Sequence, residues 1–320
     1  MRVLSGIQPS GPLHIGNYLG AIRQYLELQR GNDAYFFVAD YHALTSVRDA
    51  ARLRGYVFDV FADFLALGLD PEVATLFVQS DVPEVAELAW LLTTVTPMGW
   101  LEKCVSYKDK VQQGLPAEHG LFAYPVLQAA DILLYDADVV PVGQDQKQHL
   151  EVTRDIAERF NRTYGEVFTI PKPYILDSVA VIPGIDGRKM SKSYDNTIEI
   201  FDDPKTILKK CKKIVTDSTP VEAPKDPDTD ALFQLFALFA SDADREEVAR
   251  RYREGGIGYG EVKQRLAADI AARFAEARDR RADLVAHPER VAEIRHAAAA
   301  KARATARATL ARARAACGLG

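Results

Sequence analysis

The sequence predicts an α/β fold in which a parallel sheet with crossover helices is followed by an all-helical domain. Up to about residue 190, short apolar runs of strand length alternate with longer segments of helical periodicity. Beyond residue 197 the apolar residues recur at helical spacing only. We therefore predict two domains, residues 1–196 and residues 197–320.

The first domain begins with a strand in "RVL", and a buried strand that ends in polar residues follows in "AYFFVADYHALT". A helix is predicted in "ARLRGYVFDVFADFLALGL", which stops near Gly68. Further strands are predicted in "ATLFVQSDV" and "DADVVPVGQDQ", and a helix in "KQHLEVTRDIAERFN". Strands and helices in this order favour a parallel sheet.

The second domain begins with a helix for which Asp203 is the predicted cap and Pro204 lies in the first turn. A long amphipathic helical pattern covers residues 260–287. The Ala/Arg-rich stretch "RHAAAAKARATARATLARARAAC" is predicted to form one exposed helix, because alanine and arginine have high helix propensity.

Composition limits the classes of function. The formal charge of −5 and the pI near 5.8 argue against a protein that coats polyanions, although a local basic face remains compatible with them. No stretch has the ~20 apolar residues of a membrane span, and the N-terminus lacks the pattern of a signal peptide. The three cysteines form no CxxC pair, so we expect no metal or disulfide framework and a cytoplasmic protein.

The first unusual loop is "SGIQPSGPLHIGNYLGAI", from Ser5 to Ile22. A glycine-rich turn between a strand and a helix suits a phosphate group, because backbone N–H groups and the helix N-terminus point towards it. His14 and Asn17 offer hydrogen bonds at the helix start. The spacing matches neither GxGxxG nor a P-loop. A plain strand-to-helix turn with His14 as a surface cap is the alternative.

The second unusual loop is "GRKMSKSYDN". Lys189 and Lys192 follow Gly184 and Gly187, which permit hinge motion. The loop is typical of a mobile cationic clamp for a transferring polyphosphate. The alternative is a solvated basic loop.

Together the two loops resemble the signatures of class I aminoacyl-tRNA synthetases. "PSGPLHIGN" is similar to the His-Ile-Gly-His signature and "KMSKS" to the second signature. With "VPVGQDQKQHLEVTRDIAERFN" they resemble the tryptophan branch of that family over nearly the whole chain, most specifically from residue 3 to residue 196. The resemblance implies a Rossmann-like, doubly wound sheet in residues 1–196. It implies a helical tRNA- and anticodon-binding domain with a C-terminal helix in residues 197–320.

The chain departs from the family pattern at two places. Asn17 stands at the last position of the first signature, as is usual in the tryptophan branch. "GQDQ" at residues 143–146 replaces the "GEDQ" of many relatives, which neutralises one acidic group near the ribose.

The resemblance also implies function and partners. The implied reaction is ATP-dependent activation of L-tryptophan to tryptophanyl adenylate, followed by transfer to tRNA(Trp). Mg²⁺ would arrive with ATP, and relatives are homodimers. The basic stretch "KKCKK" and the Arg-rich last helix are candidate contacts for tRNA phosphates, or are merely solvated.

By resemblance, three lysines would stabilise the separating pyrophosphate: Lys110, Lys189 and Lys192. The residues expected to bind ATP are Gln8, Pro9, Ser10, His14, Gly16, Asn17, Gly143, Gln144, Asp145, Val181, Lys189, Met190, Ser191, Lys192 and Ser193. The residues expected to bind tryptophan are Gln8, His42, Tyr124, Gln128, Asp131 and Gln146.

The residues themselves support part of the amino-acid pocket. Tyr124, Gln128, Asp131 and Tyr135 follow at steps of four, three and four, so a helix would present them on one face. They form either an exposed polar stripe or a pocket in which Asp131 accepts a hydrogen bond from an indole N–H, which can only donate. For His42, a packed histidine at a strand end and a ligand contact both remain open.

Three alternatives remain for the function. Gln128 is reminiscent of tyrosine enzymes, but Leu4 stands where those enzymes have a tyrosine, and Gln8 replaces their acidic residue. A nucleotidyltransferase with a similar first loop would be shorter and lack the helical half. A non-catalytic RNA-binding paralogue would be expected to lose the signature lysines, which this chain retains.

Overall fold

The computed structural model of the 320-residue chain describes residues 1–104, 118–143, 147–175 and 182–320. The strands in these ranges are β1 (Arg2–Ile7), β2 (Asp33–Val38), β3 (Thr75–Val78), β4 (Val139–Val142) and β5 (Lys172–Ile175). The helices there are α1 (Ile15–Asn17), α2 (Arg23–Leu28), α3 (Asp40–Ala43), α4 (Ala50–Leu67), α5 (Glu84–Thr93), α6 (Met98–Glu102), α7 (His119–Leu133), α8 (Lys147–Tyr164), α9 (Pro204–Lys212), α10 (Ala231–Ala237), α11 (Asp242–Glu254), α12 (Tyr259–Arg273), α13 (Ala275–Ala286) and α14 (Pro288–Ala316). A π-helical turn spans Tyr18–Ile22, and 3₁₀ turns span Gln79–Asp81 and Lys192–Tyr194.

The sheet has five strands in the order β3-β2-β1-β4-β5, and every described pair is parallel. The residues of β3 are all buried, as are five of the six in β2, which explains their continuous apolar sequences. The strand order changes direction beside β1, next to β4. Ligands of open α/β sheets bind at the carboxyl ends of the strands beside such a switch point.

The predicted α/β fold with a helical second half is confirmed, and one strand of the sheet was missed. β5 carries Pro173 and two exposed residues, Lys172 and Tyr174, instead of an apolar run. A short edge strand with a proline has little strand signal in its sequence.

The chain divides into two compact units, which we describe separately. Unit 1 contains residues 1–10, 24–178 and 286–320, and unit 2 contains residues 11–23 and 179–285. The predicted boundary at residue 196 therefore falls within unit 2, and α14 belongs to unit 1.

In unit 2, Asp203 caps α9 as predicted, because its carboxylate accepts from the backbone N–H groups of Lys205 and Thr206. The pattern over residues 260–287 is interrupted where α12 ends and α13 begins. Phe274, at the break, is buried against Tyr18, with the ring centroids 4.9 Å apart and nearly perpendicular.

In unit 1, the expectation that α14 is exposed is wrong. One face of the helix is buried, including Ala302, Ala306 and Ala313, and it packs on β3 and α5. The small alanine side chains let the helix approach closely, and Thr305 Oγ1 lies 3.0 Å from the hydroxyl of Tyr35 on β2.

The arginines of α14 form ion pairs inside unit 1. Arg303 and Arg307 both bind the carboxylate of Glu84, which is 9% exposed. Arg295 binds Asp81, Arg312 binds Asp136 and Arg314 binds Glu87. These five side chains hold the helix to unit 1. None of the helices within the described ranges is long and apolar enough for a membrane span.

Candidate active site

The amino-acid pocket predicted in unit 1 centres on a buried carboxylate. Asp131 lies in the last turn of α7 and is 3% exposed. Its Oδ1 accepts from Gln79 Nε2 at 2.7 Å, and its Oδ2 accepts from Gln79 Nε2 at 2.9 Å and from His42 Nε2 at 2.8 Å. These donors offset the large cost of burying a charged oxygen in apolar surroundings. The exposed-stripe alternative is wrong for Asp131 and for Tyr135, which is 2% exposed.

Gln8 and His42 belong to the same group of side chains. His42 lies in α3, just beyond the carboxyl end of β2, and Gln8 follows β1. Gln8 Nε2 donates to the backbone oxygen of His42 at 3.1 Å and to Ser46 Oγ at 3.3 Å. Gln8 thereby connects the carboxyl ends of β1 and β2. His42 contacts Gln8 through its backbone oxygen and Asp131 through its ring.

Tyr124 lies on the same helix as Asp131, nearly two turns earlier. Its hydroxyl is 2.8 Å from His149 Nε2, and its ring centroid is 6.3 Å from that of His42. Gln128 lies between Tyr124 and Asp131 on α7 and is partly buried. His149 was not predicted as a site residue, because a single histidine in an amphipathic helix gives no signal of a partner.

The first loop continues in unit 2, where His14 precedes α1 and is 6% exposed. Burial and the positive charge of Lys192 lower the pKa of His14 from 6.5 to about 4, so the imidazole is neutral at pH 7. Among the described residues, no group hydrogen-bonds to its Nδ1, which is buried. A Cβ on Gly16 would lie 3.0 Å from that nitrogen, so any other residue there would push the ring aside by a few tenths of an ångström.

The second loop contacts the first within unit 2. Lys192 Nζ donates to the backbone oxygen of Gly11 at 2.7 Å. Gly11 has a φ of +137°, a conformation that other residues rarely adopt. The backbone N–H of Ile15 donates to Ile198 O, and that of Ile200 donates to Leu13 O. The two signature loops therefore contact each other.

Asn196 holds the second loop in shape and was missed by the sequence analysis. It is 1% exposed, and its Oδ1 accepts from the N–H of Ser191 at 2.8 Å. Its Nδ2 donates to Asp186 Oδ1 at 2.7 Å and to Lys189 O at 3.0 Å. A Cβ on Gly184 would lie 2.4 Å from the Asn196 amide, so this glycine makes room for it. The buried side chain of Met190 anchors the same loop.

The predicted site residues divide between the two units. Those described in unit 1 are Gln8, Pro9, Ser10, His42, Tyr124, Gln128, Asp131 and Gly143. Those in unit 2 are His14, Gly16, Asn17, Lys189, Met190, Ser191, Lys192 and Ser193. Lys110, Gln144, Asp145, Gln146 and Val181 lie outside the described residues. Within the described ranges, no group of three or more His, Cys, Asp or Glu side chains is arranged to hold a metal ion.

Comparison with known proteins gives consistent results. Residues 1–275 match the family model of the class I tRNA synthetases for tryptophan and tyrosine (W and Y). The tryptophan–tRNA ligase of Rhodopirellula baltica is 54% identical over 319 residues, which cover all of both chains. That of Fusobacterium nucleatum is 50% identical over 303 residues, covering 94% of this chain and 93% of the relative. The crystal structure of the Campylobacter jejuni tryptophanyl-tRNA synthetase with ADP and tryptophan has a TM-score of 0.93 at 48% identity and covers 100% of both chains.

Proposed function

Because the chain belongs to the class I family of tryptophan and tyrosine tRNA synthetases, we propose that it activates L-tryptophan with ATP and transfers the tryptophanyl group to tRNA(Trp). The similarity to tryptophan–tRNA ligases over the full chain carries the reaction class. The buried carboxylate of Asp131 offers an acceptor for the indole N–H of tryptophan. We assign the reaction to the cytoplasm, where tRNA is charged.

The unit 1 pocket selects the amino acid in this proposal. Asp131 accepts a hydrogen bond from the indole N–H, and His42 lies beside the ring. Leu4 is 1% exposed and has no polar atom with which to bind a phenol, which counts against tyrosine. Gln8 approaches the carboxylate, and Tyr124 and Gln146 hold the amino group. Gln128 completes the wall of the pocket.

In the activation step, a carboxylate oxygen of tryptophan attacks the α-phosphorus of ATP. The bond from that phosphorus to the oxygen that bridges to the β-phosphate breaks, and pyrophosphate leaves with the electron pair. Charge therefore grows on the leaving group, where cationic donors stabilise it most. Lys110, Lys189 and Lys192 supply these charges, and Mg²⁺ accompanies the phosphates of ATP.

His14 and the backbone of the first loop bind the nucleotide in this scheme. A neutral imidazole binds without adding charge, so the depressed pKa of His14, caused by burial and by Lys192, leaves the lysines as the source of positive charge. Its partnerless buried Nδ1, among the described residues, supports a ligand contact. Gly16 and Asn17 support the adenosine and the phosphates. Gly143, Gln144 and Asp145 are assigned to the ribose.

In the transfer step, the terminal ribose hydroxyl of tRNA attacks the carbonyl carbon of the adenylate, and AMP leaves. We assign tRNA phosphate contacts to the exposed lysines of α9, Lys205, Lys209 and Lys212, and to Lys213, which follows the helix. Lys210 is excluded from this set because it binds the carboxylates of Glu199 and Asp202.

We also propose a homodimer. Trp90 on α5 and Met98 on α6 are 68% and 62% exposed, whereas Leu91 is buried within unit 1. Two large apolar side chains on neighbouring helices favour contact with a second copy. Sedimentation at micromolar concentration should give about twice the chain mass of 35.4 kDa, and a monomer would refute the dimer.

Pyrophosphate–ATP exchange over the standard amino acids tests the function. We expect tryptophan to stimulate it most, and a stronger response to tyrosine would refute the proposal. Asp131→Ala should weaken the use of tryptophan by ~1–3 kcal/mol and leave the KM for ATP nearly unchanged, because a buried N–H loses its partner. A loss confined to ATP would contradict the role of Asp131.

A further inference from the structure

Gln79 lies in the 3₁₀ turn that follows β3 and is 1% exposed. Its Oε1 accepts from the backbone N–H of Tyr41 at 3.0 Å. Because a backbone N–H can only donate, the carbonyl end of the amide must face Tyr41, and the NH₂ end must face Asp131. The orientation of Gln79 is therefore fixed by the chemistry of its partners.

The turn that carries Gln79 is held from both sides within unit 1. Ser80 donates through its backbone N–H to Asp40 Oδ1 at 3.0 Å and through its hydroxyl to Asp40 Oδ2 at 2.5 Å. Asp81 accepts two bonds from Arg295 of α14, at 2.6 and 2.8 Å. Hydrogen bonds that fix the backbone of a turn also hold its side chains in a defined position, so these contacts help to fix Gln79.

The bonds to Asp131 are unequally shared between its oxygens. Among the described residues, Oδ2 accepts from Gln79 and His42, whereas Oδ1 accepts from Gln79 alone. Each carboxylate oxygen offers about two lone-pair sites, so Oδ2 is saturated and Oδ1 retains one. The remaining acceptor position is thus a single, directed one.

We propose that Gln79 is a specificity-determining positioning residue, which fixes Asp131 so that only Oδ1 is open to the indole N–H of tryptophan. The inference rests on the proposed function of Asp131 as the indole acceptor. Without the amide, the carboxylate is free to rotate towards His42 or to bind water, and either change removes the aligned acceptor.

A tryptophan analogue that lacks the N–H separates this role from a structural one. In L-β-(3-benzothienyl)alanine, sulfur replaces the N–H with little change of shape. Wild-type enzyme should prefer tryptophan over this analogue, in kcat/KM for exchange, by at least about tenfold. Gln79→Met should reduce that preference at least about fivefold, mainly through a higher KM for tryptophan, with kcat nearly unchanged.

Gln29→Met is the matched control. Gln29 is a buried glutamine of unit 1 that likewise bridges two groups, accepting from the N–H of Asp70 at 2.9 Å and donating to Gly68 O at 3.2 Å. Its replacement should lower thermal stability and leave the preference for tryptophan unchanged. If Gln79→Met does not fold, Gln79→Asn retains the amide at a shorter reach and should lose the preference as well.

The Asp131→Ala variant distinguishes failure of this inference from failure of the pocket. If Gln79→Met lowers exchange equally for both substrates while Asp131→Ala abolishes the preference, Gln79 is merely structural and the inference is overturned. If Asp131→Ala also leaves the preference unchanged, the proposed pocket is wrong and the inference falls with it. Loss of the preference in both variants, with Gln29→Met unaffected, is the expected result.

Discussion

Lys192→Met removes the ammonium group that donates to Gly11 O and keeps most of the aliphatic length of the side chain. One partner of this charge is the neutral carbonyl oxygen of Gly11 at 2.7 Å, a bond worth about 1.5–3 kcal/mol. Two unit charges 4 Å apart attract by about 4 kcal/mol at an effective dielectric constant of 20. Exchanging the carbonyl for a pyrophosphate that is gaining charge is therefore favourable during the reaction.

The loss on mutation should be close to that of other preorganised donors, about 3 kcal/mol, which is roughly a hundredfold in rate. We expect that loss in the activation step, with a much smaller effect on ATP affinity, because the interaction strengthens only as charge develops. Transfer from preformed tryptophanyl adenylate to tRNA should suffer much less, since no pyrophosphate leaves in that step.

Single-turnover rates of activation and of transfer, measured separately, provide the assay. Lys301→Met is a suitable control, because Lys301 is an exposed lysine of α14 with no assigned role in the site. Equal losses in the two steps, or a loss confined to ATP affinity, would show that the second loop is a binding or structural element and would refute the mechanism.

Two further predictions concern unit 2. Asn196→Ala should lower the free energy of unfolding by about 2–4 kcal/mol, because the loop loses three hydrogen bonds. The variant should also activate tryptophan more slowly, with an unchanged KM for tryptophan. A denaturant unfolding curve identical to that of the wild type would contradict this prediction. Burial and Lys192 lower the pKa of His14 from 6.5 to about 4. As the pH falls from 6.5 to 4, the unfolded chain therefore binds a proton that the folded chain does not, and the stability of the fold decreases. In the His14→Gln variant, the decrease in the free energy of unfolding at low pH should be smaller by roughly 2–3 kcal/mol. An equal pH dependence of unfolding in the wild type and the variant would show that His14 does not titrate in this way.

The sequence predicts the fold where burial imposes a pattern. Strands β2 and β3 are buried on both faces and therefore read as apolar runs, whereas the exposed, proline-containing β5 gives no such run. The buried face of α14 was missed because it consists largely of alanine, which is as common on exposed helices as on buried ones. Periodicity also fails to reveal the break at Phe274, since the apolar residues on either side keep helical spacing.

In the candidate site, the sequence identifies groups whose burial is chemically costly. A carboxylate between Ala130 and Ile132 predicted a buried polar site, and the structure places Asp131 there. Gln79 and Asn196 were missed because amides are common in turns, and their importance depends on partners distant in the sequence. Such contacts follow only from the three-dimensional fold.

The ion pairs between α14 and the rest of unit 1 have a consequence for synthesis of the chain. The ribosome makes the strands of unit 1 first, then residues 179–285 of unit 2, and only afterwards the helix that covers β3 and α5. During this interval the nascent chain displays an apolar surface next to the unneutralised carboxylate of Glu84, the type of surface that aggregates or binds chaperones. Arg303 and Arg307 arrive with the covering helix, so that one late segment both buries the apolar surface and neutralises the charge.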